Sequence, residues 1–142
     1  MKKKALISAC LLGVNCRYDG KNNKLPDEKL EELKEKYELI PVCAEIYGGL
    51  TTPRVPSERR DGRVYSKVGV DVTEEFTKGA EAVLYMAKLF GAELAILKEN
   101  SPSCGSGTIY DGSFSGKLTE GDGVTAELLK KHGITVIGEK KI

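Results

Sequence analysis

The alternation of short apolar runs with amphipathic segments constrains this chain more than any other feature. Residues 5–9, 38–42, 94–97 and 134–137 are continuously apolar or nearly so. Between them lie segments with apolar residues three or four apart. Residues 26–37 carry Leu30 and Leu33 among Glu and Lys, with Pro26 near the first turn, and read as a short amphipathic helix. Residues 71–90 place Phe76, Ala80, Val83, Leu84, Ala87 and Phe90 at helical spacing. Thr73 is the expected N-cap there, Glu74 and Glu75 lie in the first turn, and Gly91 is the stop. Residues 125–132 form the last helix, with Leu128 and Leu129 inward and a basic end at Lys130-Lys131-His132-Gly133. Strands buried on both faces read as continuous apolar runs, and strands with one wet face alternate. The expected fold is therefore α/β: a Rossmann-like three-layer sandwich with a mostly parallel sheet of about four to five strands. Its site loops lie at the strand C-terminal ends. At 142 residues the chain makes a single domain, 1–142.

Two segments are too long to be simple connections and read as functional or mobile. Residues 47–69 contain Gly48-Gly49, Pro53, Pro56 and Gly62, with Val64, Val68 and Val70 placed to make a small hairpin within or after the loop. Residues 100–123 are rich in Ser, Gly, Asn and Asp, with Tyr110 and Phe114 embedded. Lys plus Arg number 22 and Asp plus Glu 21, a net charge of +1. Such balance argues against a protein that works by gripping nucleic-acid backbone. No apolar run approaches the roughly 18 residues that cross a bilayer. Met1-Lys2-Lys3-Lys4 leads into a strand and not into a signal peptide, so the expected location is cytoplasmic, with no membrane partner. Nothing in the sequence sets the oligomeric state.

The four cysteines fall in a pattern. Cys10 follows the first strand, Cys43 follows the second, and Cys104 lies in the loop leaving the third. They are separated by 32 and 60 residues, yet parallel topology brings all three to one end of the sheet. Cys16 lies six residues beyond Cys10, deeper in a loop. A free cysteine commonly just packs. Here Cys43-Ala44-Glu45 and Ser101-Pro102-Ser103-Cys104-Gly105-Ser106-Gly107 are loop sequences, with room beside the sulfur. In a cytosolic chain four cysteines are metal ligands, catalytic groups or buried hydrophobes. There is one histidine, and no C-x2-C pair of the zinc-knuckle or thioredoxin kind. Iron–sulfur clusters tolerate varied spacing, so three remote thiolates permit a [4Fe-4S] cluster whose fourth iron stays open as a Lewis acid.

Other residues join this end. Glu45 stands two after Cys43, and in an extended loop it faces the same way. Neighbouring thiolates raise a carboxylate's pKa, which suits proton transfer; the ordinary alternative is a surface or capping glutamate. Ser101 either donates to a ligand or is a turn serine. Arg17 and Arg54 flank the loops and suit an anionic or polar substrate edge, whereas Arg59, Arg60 and Arg63 read as a solvated charged loop. Gly48, Gly49, Gly105 and Gly107 leave room for phosphate or substrate, but form no P-loop or GxGxxG.

Taken in order, these segments resemble a known family. Ser8-Ala9-Cys10-Leu11-Leu12-Gly13, followed by Cys16-Arg17-Tyr18-Asp19-Gly20, is similar to the opening motif of a bacterial and archaeal family long catalogued as a domain of unknown function. Its characterised members are thiouracil desulfidases. Pro41-Val42-Cys43-Ala44-Glu45 with Gly48-Gly49-Leu50 and Pro53-Arg54 resembles the second motif. Gly69-Val70-Asp71-Val72-Thr73 with Gly79-Ala80 resembles the third, and Ser101-Pro102-Ser103-Cys104-Gly105 with Ile109-Tyr110-Asp111-Gly112 the fourth. The resemblance implies a [4Fe-4S] cluster bound by Cys10, Cys43 and Cys104. It implies removal of sulfur from a thiolated pyrimidine such as 2-thiouracil, giving uracil and sulfide without net electron transfer. Glu45 would be the acid/base and Ser101 would orient substrate or water. Cys16 matches a family cysteine, either a thiol beside the ligands or an alternative ligand. Arg17, Gly48, Gly49, Arg54 and Ser103 are candidates to support the site or touch substrate. One departure is visible: the family usually has proline where this chain has Ala44. The implied partner is a small thiolated base or nucleoside. The rival readings are a non-catalytic iron–sulfur, metal-binding or sulfur-carrier module, and a plain α/β domain with buried thiols.

Overall fold

The first apolar run becomes a central strand. In the computed structural model, which describes residues 2–142, strand β1 (Lys3–Ser8) lies between β2 (Tyr37–Val42) and β5 (Leu94–Leu97), and β8 (Thr135–Gly138) completes a sheet of order β2-β1-β5-β8. Every neighbouring pair is parallel, with Ala5 opposite both Leu39 and Leu94. Ala5, Leu6 and Ile7 are all fully buried because helices cover both faces. Successive side chains point to opposite faces. Leu6 packs with Val83, Leu84, Ala126 and Leu129 from helices α3 (Thr73–Phe90) and α4 (Val124–Lys131). Ile7 packs with Leu33 of α1 (Asp27–Lys36) on the other side. Burying each such side chain contributes roughly 2 kcal/mol.

The chain crosses from β1 to β2 through α1, then returns past β1 to β5 through α3. The connections after β1 and β5 therefore leave in opposite directions and open a crevice at the carboxyl ends of these two strands.

The long loops are more structured than their composition suggests. A hairpin of β3 (Ser57–Arg60) and β4 (Arg63–Ser66) turns at Asp61-Gly62, both at positive φ, 53° and 78°. This is the primed turn that matches strand twist. The expected hairpin is present, but of its three valines only Val64 lies in it. Val64 is fully buried against Val72 and Phe76, whereas Val68 and Val70 are exposed. The Ser- and Gly-rich segment holds a second hairpin, β6 (Thr108–Tyr110) with β7 (Leu118–Glu120). At the start of α3 the cap differs from expectation. Thr73 is already helical, and Asp71 Oδ1 accepts its backbone N–H at 2.9 Å. Gly91 ends α3 in the left-handed region, as its position predicts. Among the described residues no helix is long and apolar enough to cross a membrane.

Candidate active site

The crevice at the switch point opens into a cavity of about 590 Å³ that all four cysteines line. Cys10 sits in a 3-10 turn, Ala9–Leu12, directly after β1. Cys43 is the single residue between β2 and the short helix α2 (Ala44–Tyr47). Cys104 is carried by the turn after β5. Ser101 Oγ accepts the backbone N–H of Ser103 at 3.0 Å and of Cys104 at 3.1 Å, so this serine shapes the loop that presents the thiol. All four thiols are free.

Cys16 links two of the others. Interaction of its thiol with Cys10 and Cys43, together with burial, pushes its pKa up. The same contact, aided by Asn23 and Lys98, draws Cys10 down to about 7 against burial and the charge of Glu45. Cys43 is likewise lowered, first by Cys16, with the Ile46 amide and Arg54 assisting. Cys104 is different: burial pushes its thiol up, the charge of Glu45 adds to this, and hydrogen bonds with Ser103 and Ser8 oppose it.

Glu45 lines the same cavity, but not for the reason the sequence suggested. It lies in the first turn of α2 and not in an extended loop. Its Oε2 accepts Arg54 Nη2 at 2.8 Å, and both side chains are largely buried. Arg54 also donates to Cys16 O at 3.1 Å, Thr52 Oγ1 at 3.1 Å and Thr51 O at 3.2 Å. Arg54, expected at a polar substrate edge, thus holds four protein oxygens with its two terminal nitrogens while lining the cavity. It supplies the positive charge beside the site carboxylate. Arg17 lines the cavity too, with its guanidinium on Asp19 at 2.8 and 2.5 Å and Asn23 at 3.0 Å.

Three other candidates sit outside the cavity wall. Ser103 is fully buried, its Oγ 2.8 Å from Thr125 Oγ1 of α4. It supports Cys104 and cannot reach a substrate. Gly48 lets α2 lie against α3: a Cβ there would come within 1.9 Å of Glu75 O, and one at Gly79 within 1.9 Å of Ala44 O. Gly49 ends the α2 turn at φ 95°. The glycines thus position Cys43 and Glu45 through backbone packing. Ala44 is the first residue of α2, a position where proline is favoured, so its departure from the usual residue leaves the helical turn in place. Arg59, read as a solvated residue, instead donates to Asp122 O at 2.7 Å and Glu127 Oε2 at 2.6 Å.

Sequence reasoning missed Ser8, Asn23, Lys98 and Glu58 as members of the cavity wall. Lys98 had a signal, since it follows β5 at the sheet end that carries the cysteines. Asn23 had none.

Known proteins resemble this chain along nearly its whole length. The 2-thiouracil desulfurase family matches residues 5–141. The protein YbbK of Bacillus subtilis (strain 168) is 44% identical over 147 residues, covering 96% of each sequence. A solved structure of the [4Fe-4S]-dependent thiouracil desulfidase TudS is 45% identical and superposes with a TM-score of 0.94, covering 99% of this chain and 93% of that one. The chain belongs to the 2-thiouracil desulfurase family.

Proposed function

We propose that this protein is a [4Fe-4S]-dependent desulfidase. It hydrolyses the thiocarbonyl of a thiolated pyrimidine such as 2-thiouracil to give uracil and sulfide. The observation that carries the reading is the meeting of Cys10, Cys43, Cys104 and Glu45, from three strand-end segments, on one cavity.

The donor set fits the group. Among the described residues, no three His, Cys, Asp or Glu side chains converge closely enough to hold one metal ion. A cluster sets each thiolate on a separate iron, so its ligands need not meet at a point. Cys10, Cys43 and Cys104 would hold it, with two thiols already drawn toward thiolate. Cys16, deeper in the loop after Cys10, is assigned in this reading as a thiol beside the ligands and not as a fourth ligand. When bound, the cluster supplies an open iron as Lewis acid for sulfur.

The protein's own groups then handle protons and orientation. Replacing sulfur by oxygen consumes one water and needs no electrons. Glu45 Oε2 is held by Arg54, while Oε1 accepts no hydrogen bond among the described residues and takes the proton of the attacking water. The same oxygen returns the proton to the departing sulfur. Ser101 Oγ accepts two amides, which leaves its hydrogen to donate to a polar edge of the ring. The substrate is a small base or nucleoside, and the protein acts in the cytoplasm.

The test is anaerobic reconstitution with iron and sulfide, a count of both per chain, and an assay of uracil and sulfide from 2-thiouracil. About four irons per chain with turnover are expected. Cys10→Ala, Cys43→Ala and Cys104→Ala lose iron, Cys16→Ser keeps it, and Glu45→Gln keeps iron while kcat falls about 100-fold or more. A full cluster that never turns over would point to a carrier of sulfur. No bound iron would overturn the reading.

A further inference from the structure

The cavity has one wall that the proton chemistry leaves unused: the loop between β6 and β7. Phe114 lines the cavity there. It is half-buried, yet it belongs to none of the three apolar clusters. Its backbone lies at φ 56°, a left-handed conformation that a bulky residue keeps only where its surroundings over-determine it. Glu58 supplies that constraint. Its Oε1 accepts the backbone N–H of Gly112 at 3.0 Å and of Phe114 at 3.1 Å, so a carboxylate on β3 clasps the loop across more than fifty residues of sequence. Asp111 closes the loop on itself, accepting the Ser113 backbone N–H at 2.9 Å.

We propose that Phe114 is the aromatic wall on which the pyrimidine ring stacks, and that Glu58 is the positioning residue that holds Phe114 in place. The proposal rests on the desulfidase reading of this cavity. A pyrimidine presents a flat π face, which an aromatic ring recognises without hydrogen bonds. Phe76, which also lines the cavity, is 2% exposed and belongs to the core, while Tyr18 and Tyr110 are 44% and 39% exposed at its rim. Phe114 is the sheltered ring that no core claims.

The experiment uses reconstituted protein and two probes. Equilibrium dialysis measures uracil, which has the ring but no thiocarbonyl, and steady-state kinetics follow 2-thiouracil. Phe114→Ala is expected to weaken uracil binding and raise KM about tenfold or more, with iron content unchanged and kcat altered far less. Phe114→Tyr keeps the affinity. Glu58→Ala reproduces the Phe114→Ala defect, and Glu58→Gln, which retains an accepting oxygen, restores most of it. The double variant Glu58→Ala/Phe114→Ala is no worse than Phe114→Ala alone, because both act through one ring. Uracil binding and KM within twofold of wild type in Phe114→Ala would overturn the wall, and additive losses in the double variant would overturn the role of Glu58. Phe114-dependent uracil binding without any turnover of 2-thiouracil would leave the wall standing and sink the desulfidase reading. Turnover that ignores Phe114 would do the reverse.

Discussion

Arg54 determines the charge balance around Glu45. The guanidinium beside Oε2 is the cation in direct contact with this carboxylate and offsets its charge inside a largely buried pocket. Removing one member of such a pair leaves the other desolvated and unmatched, the costly case for buried charges. Arg54→Ala is therefore expected to lose about 3 kcal/mol of stability, the low end for breaking a buried pair, and most of the activity. Arg54→Lys keeps the charge, but a single ammonium cannot also reach Thr51, Thr52 and Cys16 as the guanidinium fork does. It should recover activity in part and stability less. Thermal melts and kcat for both variants check this. A fully active Arg54→Ala would mean that Glu45 needs no partner. Neither this pair nor the clasp of Glu58 was legible in the sequence, because each joins a residue of a short element to a loop and leaves no periodic trace.

Helix α2 has only four residues, too few to be stable alone, so its position comes from α3. The contact is backbone on backbone at Gly48 and Gly79. A methyl at Gly79 would meet Ala44 O at 1.9 Å and Ala44 C at 2.7 Å, atoms that no rotamer change can move aside. In an ordinary helix Gly→Ala gains about 1 kcal/mol. Here overpacking of roughly 1–3 kcal/mol opposes that gain, so Gly79→Ala should lower the melting temperature and reduce iron per chain by shifting Cys43. A more stable Gly79→Ala variant with full iron would refute the packing argument. The other end of the argument is the start of α3. Hydrogen bonds from the Thr73 hydroxyl and amide, with Arg63 beyond them, hold Asp71 down to about 2 from the usual 3.8. A carboxylate held low stabilises the fold fully above about pH 4 and loses that contribution as pH falls toward 2. The gap in melting temperature between wild type and Asp71→Ala should be widest at pH 5 to 7 and narrow below pH 4. A gap that stays constant down to pH 3 would remove Asp71 from the capping role. Helices α1, α3 and α4 and the four core strands were readable because each buries a continuous or periodic apolar face, whereas the four-residue α2 shows no such period. The β6–β7 hairpin was not, since its strands have three residues each and only Ile109 of the six is buried. The β3–β4 turn did leave a signal, the Asp61-Gly62 pair, which the valines obscured.

At the scale of the whole molecule the site exists only when the sheet does. Cys10, Cys43 and Cys104 are separated by tens of residues, and only parallel strands with a crossover on each face bring their loops to one crevice. That is why three strand-end cysteines were readable at one end of the sheet from topology alone, while the choice between support and substrate contact for Ser103, Gly48 and Gly49 was not: proximity in sequence to a cysteine does not say which way a side chain points. The same dependence yields a thermodynamic consequence. An unfolded chain offers no converging thiolates, so a cluster binds the folded state and stabilises it by linkage. Anaerobic reconstitution should raise the melting temperature, and removal of iron by a chelator should return it to the starting value. Cys10→Ala and Cys43→Ala, which alter half-buried thiols, should leave the cluster-free melt close to wild type and abolish the rise. Cys104 is buried, so Cys104→Ala should also lower the cluster-free melt, by about 1 kcal/mol. This pattern separates a cluster-holding fold from one whose thiols merely pack. In the packing case every cysteine variant shifts the melt according to its burial, and iron and sulfide change nothing.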